Sequence, residues 1–221
     1  MAFDPSKYTV AKARPLPVLL LLDTSGSMGG EKISTLENAV NEMVSSFKSE
    51  AAKEIGIQVG IITFGASVDY QLPLQDVASI NEIRCGACGP TPMGTALRMA
   101  KDIIEDKDII PSNGYRPTVV LVSDGQPNDE LQAAMDAFIK EGRSSKCERM
   151  AMAIGSDADI SVLQKFVSGE NQVFQAADAS KIKDFFRFVT MSVSVRSKSA
   201  DPNKLLPSFD IQKKLESMMD F

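Results

Sequence analysis

The chain has 221 residues, 43% of them hydrophobic and 24% charged, with 24 Lys and Arg against 29 Asp and Glu for a formal net charge of −5. This is the composition of a globular domain with a full core, and its mild acidity argues against generic binding to nucleic acid or an anionic membrane. Histidine is absent, which excludes Ser-His-Asp and Cys-His catalysis, His-ligated zinc and a histidine pH switch.

The cysteines, Cys85, Cys88 and Cys147, are too few and odd in number for a secreted disulfide framework. No apolar run reaches the ~20 residues of a membrane span. Lys7, Lys12 and Arg14 ahead of Leu16–Leu22 look like the start of a signal peptide. That run is short, contains Pro17 and meets Asp23 without a small-x-small cleavage pattern. A cytoplasmic protein is expected.

Residues 1–15 read as an N-terminal arm. Leu16–Leu22 is a continuous apolar run, as in a strand buried on both faces of a parallel sheet. After the Ser- and Gly-rich stretch Asp23–Gly30, the spacing of Ile33, Leu36, Val40, Met43, Val44 and Phe47 predicts a helix. Ile55–Phe64 reads as a strand. A Gly65–Ala66 turn joins it to a short strand, Ser67–Leu72, a pair that could be antiparallel, since parallel strands need a longer crossover.

Asp76–Arg84 reads as a weak helical turn and Cys85–Pro92 as a loop. Met93, Ala96, Leu97, Ala100, Ile103 and Ile104 form a second helix face, with Pro92 suited to its start. Thr118–Val122 is a β-branched strand ending at Ser123-Asp124-Gly125. A helix over about 130–141 follows, then a strand at Met150–Ile154. Next come a helix at Ile160–Val167 capped by Asp159, a short strand at Gln172–Phe174, and a last helix from Ser180 to about Val193.

This alternation predicts an α/β fold: a doubly wound, mostly parallel six-stranded sheet flanked by helices, with one short antiparallel edge strand. The domain is expected to span 16–195. Residues 196–221 read as a linker and a short C-terminal helix carrying the stripe Ile211, Leu215, Met218 and Met219. That helix either docks back on the body or serves a partner.

In such sheets the functional crevice lies at the carboxyl ends of the strands. Three loops belong there: Asp23-Thr24-Ser25-Gly26-Ser27, Gly89-Pro90-Thr91-Pro92-Met93-Gly94-Thr95, and Ser123-Asp124-Gly125. Their candidate ligands are all oxygen: the carboxylates of Asp23 and Asp124 and the hydroxyls of Ser25, Ser27 and Thr91. Hard cations such as Mg²⁺ take oxygen ligands and keep waters that an outside group can replace. Two carboxylates offset a divalent cation only if both bind directly; if hydroxyls supply most direct bonds and a carboxylate acts through water, the metal stays electron-poor and attracts a carboxylate from a partner.

The ordered set Asp-x-Ser-x-Ser, a Gly-x-Thr loop and a later Ser-Asp-Gly resembles the von Willebrand factor A domain family over roughly Leu16–Val193. That family builds a metal-ion-dependent adhesion site from these elements. The resemblance implies Ser25 and Ser27 as direct ligands, Thr91 as the ligand of the high-affinity state, and Asp23 and Asp124 as carboxylates binding directly or through water. It implies Mg²⁺ or Mn²⁺, with Ca²⁺ ranked behind them, and a protein partner supplying an acidic residue.

Arg14-Pro15-Leu16-Pro17-Val18, the loop Gly89–Leu97 and Phe185-Phe186-Arg187-Phe188-Val189 further resemble the TerY-like branch of bacterial tellurite-resistance and stress systems. That resemblance implies a kinase or phosphatase of the same system as partner.

Other readings share parts of the pattern. Asp23-Thr24-Ser25-Gly26 resembles one aspartic-protease loop, but two loops are needed. A dehalogenase-type phosphohydrolase places an Asp after its first strand, but its second acid is Ser25 here. A receiver domain carries its Asp after a later strand. A metal-free scaffold would instead bind through the tail. Cys85-Gly86-Ala87-Cys88 has zinc-knuckle spacing without the remaining ligands, so it reads as structural thiols or, alternatively, a redox pair. A non-enzymatic binding module is the expectation.

Overall fold

The structure, a computed structural model, describes residues 14–51, 56–124, 126–156, 158–169, 172–176 and 180–204. The strands are β1 (Pro15–Asp23), β2 (Gly56–Phe64), β3 (Val68–Asp76), β4 (Thr118–Ser123), β5 (Glu148–Ile154) and β6 (Phe174–Ala176). The helices are α1 (Glu31–Ala51), α2 (Met93–Glu105), α3 (Leu131–Lys140), α4 (Ile160–Phe166) and α5 (Ser180–Ser197). One sheet runs β3-β2-β1-β4-β5-β6. Every neighbouring pair is parallel except β2–β3. The doubly wound α/β fold expected from the alternation is present.

Strand periodicity divides the core. Leu16, Val18, Leu20 and Leu22 of β1 face one layer, where they meet Leu36, Val40 and Phe47 of α1 and Phe185 and Val189 of α5. Leu19 and Leu21 face the other, where they meet Leu97 and Ala100 of α2, Phe138 of α3 and Phe166 of α4. A strand with both faces covered has no place for alternating polar residues, which is why β1 reads as an unbroken apolar run. The chain starts at β1, winds outward through β2 and β3, then returns to β4 beside β1. The strand order therefore reverses between β1 and β4, where open α/β sheets form their crevice.

The structure departs from the sequence reading at several element ends. The antiparallel edge strand is not short: β3 has nine residues and continues past Leu72 to Asp76. Register shifts against β2 at Val59/Ile61 and Ile61/Thr63 accommodate it. Pro73 is tolerated there because an edge strand has one unpaired side. Only Val77–Ser79 of the expected helical turn is helical, as one turn of 3₁₀. The last strand lies two residues later, at Phe174–Ala176, paired with Met152–Ile154.

Helix α5 runs to Ser197, so Arg196 stands in the helix and not in a linker. Beyond it Pro202 is buried, and Asn203 Oδ1 accepts from the Arg116 N–H at 2.8 Å. Contacts of the body thus pass the expected boundary at 195. The tail stripe from Ile211 to Met219, and residues 1–13 of the expected arm, lie outside the described residues. No described helix is long and apolar enough to cross a membrane.

Candidate metal centre

Asp23 ends β1 and Asp124 follows the last residue of β4, so parallel pairing of these strands sets the two carboxylates side by side. Both are buried, at 0% and 4% exposure. Asp23 Oδ2 accepts from the Ser123 hydroxyl at 2.5 Å. Its Oδ1 accepts from the backbone N–H of Ser25 at 2.8 Å. The Ser25 and Ser27 hydroxyls are 3.1 Å apart, and Ser27 Oγ donates to Asp124 Oδ1 at 2.7 Å. Four of the five sequence-predicted residues therefore form one connected oxygen cradle. Ser25 is buried while Ser27 is exposed, so the cradle opens outward past Ser27.

Thr91, the fifth, is buried at 7% exposure on the neighbouring loop. It is tied in through the backbone: its carbonyl accepts from the N–H of Met93 at 2.9 Å and of Asn128 at 3.2 Å. Gly125, the last residue of the third loop, lies outside the described residues.

Backbone contacts lace these loops together. Thr24 N–H donates to Phe64 O, Cys88 N–H to Thr24 O, and Gly26 N–H to Gly89 O, all at 2.8–2.9 Å. A Cβ on Gly65 would lie 2.5 Å from Thr24 O and 2.7 Å from Cys88 O. Gly89 has φ +81° and would meet Ala66 Cα at 2.5 Å, a position that only glycine fills without displacing the β2–β3 turn.

Two residues that the sequence reading did not single out belong to the site. Asp129 accepts from the N–H groups of Gly94 and Thr95 at 2.9 and 2.7 Å and from the Thr95 hydroxyl at 2.9 Å. It thereby satisfies the open first turn of α2 and joins the loop after β4 to the loop carrying Thr91. Lys32, in the first turn of α1, places Nζ 2.5 Å from Asp124 Oδ2 and 3.3 Å from Ser27 O. Among the described residues, Asp124 thus meets a hydroxyl at one carboxylate oxygen and an ammonium at the other.

Burial pushes the Asp23 carboxyl above its ordinary range, and the negative charge of Asp124 adds to the rise. The hydroxyls of Ser123 and Ser25 and the Ser25 amide oppose it. A buried carboxylate so raised is short of positive charge. Among the described residues no group of three or more His, Cys, Asp or Glu side chains is arranged to hold a metal. The cradle instead offers two carboxylates and two serine hydroxyls, an all-oxygen set that suits a small hard cation and leaves room for an outside ligand.

A family model described as the von Willebrand factor type A domain matches residues 18–188. Proximal thread matrix protein 1 from the mussel byssus, with a zinc-occupied MIDAS motif, is similar at TM-score 0.61 and 20% identity, over 82% of this chain and 46% of that one. A von Willebrand factor type A structure from Catenulispora acidiphila gives 0.59 and 21%, over 81% and 43%. Inter-alpha-trypsin inhibitor heavy chain H6 of Homo sapiens is 23% identical over 189 residues, 79% of this chain. The structural likenesses speak to the fold. The chain spans only 6%, 14% and 36% of the length of three curated relatives it matches.

Proposed function

We infer that this chain, which belongs to the von Willebrand factor type A domain family, binds a protein partner through a divalent cation held at the ends of β1 and β4. The observation that carries this reading is the connected cradle Asp23–Ser25–Ser27–Asp124 at the strand-order reversal. Domains of this family commonly mediate protein–protein interaction, and relatives of this chain include collagen and matrilin chains.

In this reading Ser25 and Ser27 bind the cation directly through their hydroxyls, and Thr91 joins them from the adjacent loop. Asp23 and Asp124 hold it directly or through water. The cation is Mg²⁺, with Mn²⁺ as the alternative; Ca²⁺ ranks behind because it prefers six to eight ligands in a roomier shell. When bound, the cation supplies an electron-poor position for a carboxylate from the partner. The chain acts by binding rather than by catalysis. We place it in the TerY-like branch, beside a kinase or phosphatase of a bacterial tellurite-resistance or stress system in the cytoplasm. The support for that branch is the sequence likeness at 14–18, 89–97 and 185–189.

The test is calorimetric titration of Mg²⁺ and Mn²⁺ into metal-free protein beside the Asp23→Ala variant. One site, lost in the variant, is expected. Absent binding, or binding indifferent to Asp23, overturns the reading. Affinity capture with Mg²⁺ and then with chelator should yield a partner only in the first.

A further inference from the structure

We propose that Lys32 is a resident counter-charge of the metal centre, weakening the hold on the divalent cation so that the cation still demands a carboxylate from outside. This rests on the reading of the cradle as a metal site. Lys32 Nζ reaches Asp124 Oδ2 at 2.5 Å, and the Asp124 side chain is fully enclosed while that of Lys32 is 37% exposed. The ammonium is therefore positioned at the mouth of the cradle and pointed into it. It also contacts Ser27 O at 3.3 Å, and a Cβ on Gly155 would come within 3.5 Å of Nζ. The lysine thus spans the ends of β1, β4 and β5.

Its place in α1 makes this arrangement informative. Lys32 stands in the first turn of the helix, where the exposed N–H groups and the helix dipole disfavour a cation. The carboxylate that compensates it lies 92 residues away in sequence, on a different strand end. Lys32 is therefore paired to the site and not to its own helix.

Charge balance gives the consequence. Asp23 and Asp124 alone would neutralise a divalent cation. With Lys32 paired to Asp124, the cradle keeps a single negative charge, and a bound divalent cation leaves a single positive one. One partner carboxylate cancels it. Removing the lysine charge should tighten the cation and remove the electrostatic demand for the partner.

The experiment is Mg²⁺ titration by calorimetry into metal-free, full-length protein: wild type, Lys32→Met, Lys32→Arg and Asp23→Ala. Thermal unfolding with Mg²⁺ and with chelator accompanies it. Lys32→Met should bind Mg²⁺ about tenfold more tightly, the scale of outer-shell effects on metal affinity, with Lys32→Arg close to wild type. The Mg²⁺-dependent rise in melting temperature should be larger in Lys32→Met. Lys32→Met binding no more tightly than wild type, with Asp23→Ala abolishing binding, overturns it and leaves the metal centre standing. Absence of binding in both wild type and Lys32→Met overturns both.

Discussion

The Arg196 guanidinium donates to the Glu148 carboxylate at 2.6 Å, with the two side chains 0% and 2% exposed. Arg196 also donates to Thr118 Oγ1, Arg116 O and Pro202 O at 2.6, 2.9 and 3.0 Å. The pair locks the end of α5 to the starts of β4 and β5. Breaking one side strands a buried charge, so Arg196→Met should cost about 3–5 kcal/mol. The double variant Arg196→Met/Glu148→Leu should recover most of that loss. Urea unfolding of both variants is the check; a single variant within about 1 kcal/mol of wild type would show that water already compensates Glu148.

Asp129 caps α2 from outside the helix. Asp129→Ala should lose about 1–2 kcal/mol, with faster hydrogen exchange at the Gly94 and Thr95 amides. Exchange in the middle of β1 should follow only the global change. Unaltered protection at Gly94 would mean that the loop after β4 is not what orders the start of α2.

Asp23 sets a pH dependence of defined sign. Burial raises its folded-state pKa above the ordinary 3.8, so the folded metal-free protein holds this proton more tightly than the unfolded chain. Stability associated with the protonated form is present below that value and is lost as pH rises through the raised pKa. Asp23→Asn keeps the shape without the charge. Without metal, its stability advantage over wild type should therefore grow with pH above about 4. Excess Mg²⁺ should reverse the order, because the amide is the poorer cation ligand. A gap independent of pH, measured by chemical denaturation across pH 3–7, would remove Asp23 as the source.

The thiols should differ sharply in reactivity. Burial pushes Cys85 up to about 11, with the charge of Glu37 adding to the rise, and burial pushes Cys147 up to about 12. At pH 8 only about 0.1% of Cys85 is thiolate. Cys88 is exposed and should alkylate first under native conditions, with the other two reacting after unfolding. Rapid joint loss of Cys85 and Cys88 to a mild oxidant would instead favour a redox pair.

What the sequence disclosed followed from interactions that leave a local pattern. β1 and β4 were visible because burial on both faces demands unbroken apolar runs. Asp23, Ser25 and Ser27 were visible because one turn presents all three. Lys32 and Asp129 were not, since each acts on a partner distant in the chain: Asp124 for Lys32, Gly94 and Thr95 for Asp129. The end of α5 was missed for a related reason. Ser194 and Arg196 are polar yet buried, so hydrophobic periodicity stops before the helix does. The extension of β3 was masked by Pro73 and by alternating half-exposure along an edge strand.

The lacing of Thr24, Gly26, Gly65, Cys88 and Gly89 uses main-chain atoms and the space left by absent side chains. The neighbouring side chains of Ala66, Ser67, Cys88 and Pro90 are exposed around it. Position and chemistry are thereby separated: those side chains can be exchanged without moving the frame beneath them. Substitutions at this rim would change the surface presented around the oxygen cradle, while Gly65 and Gly89 keep the loops beneath it in place.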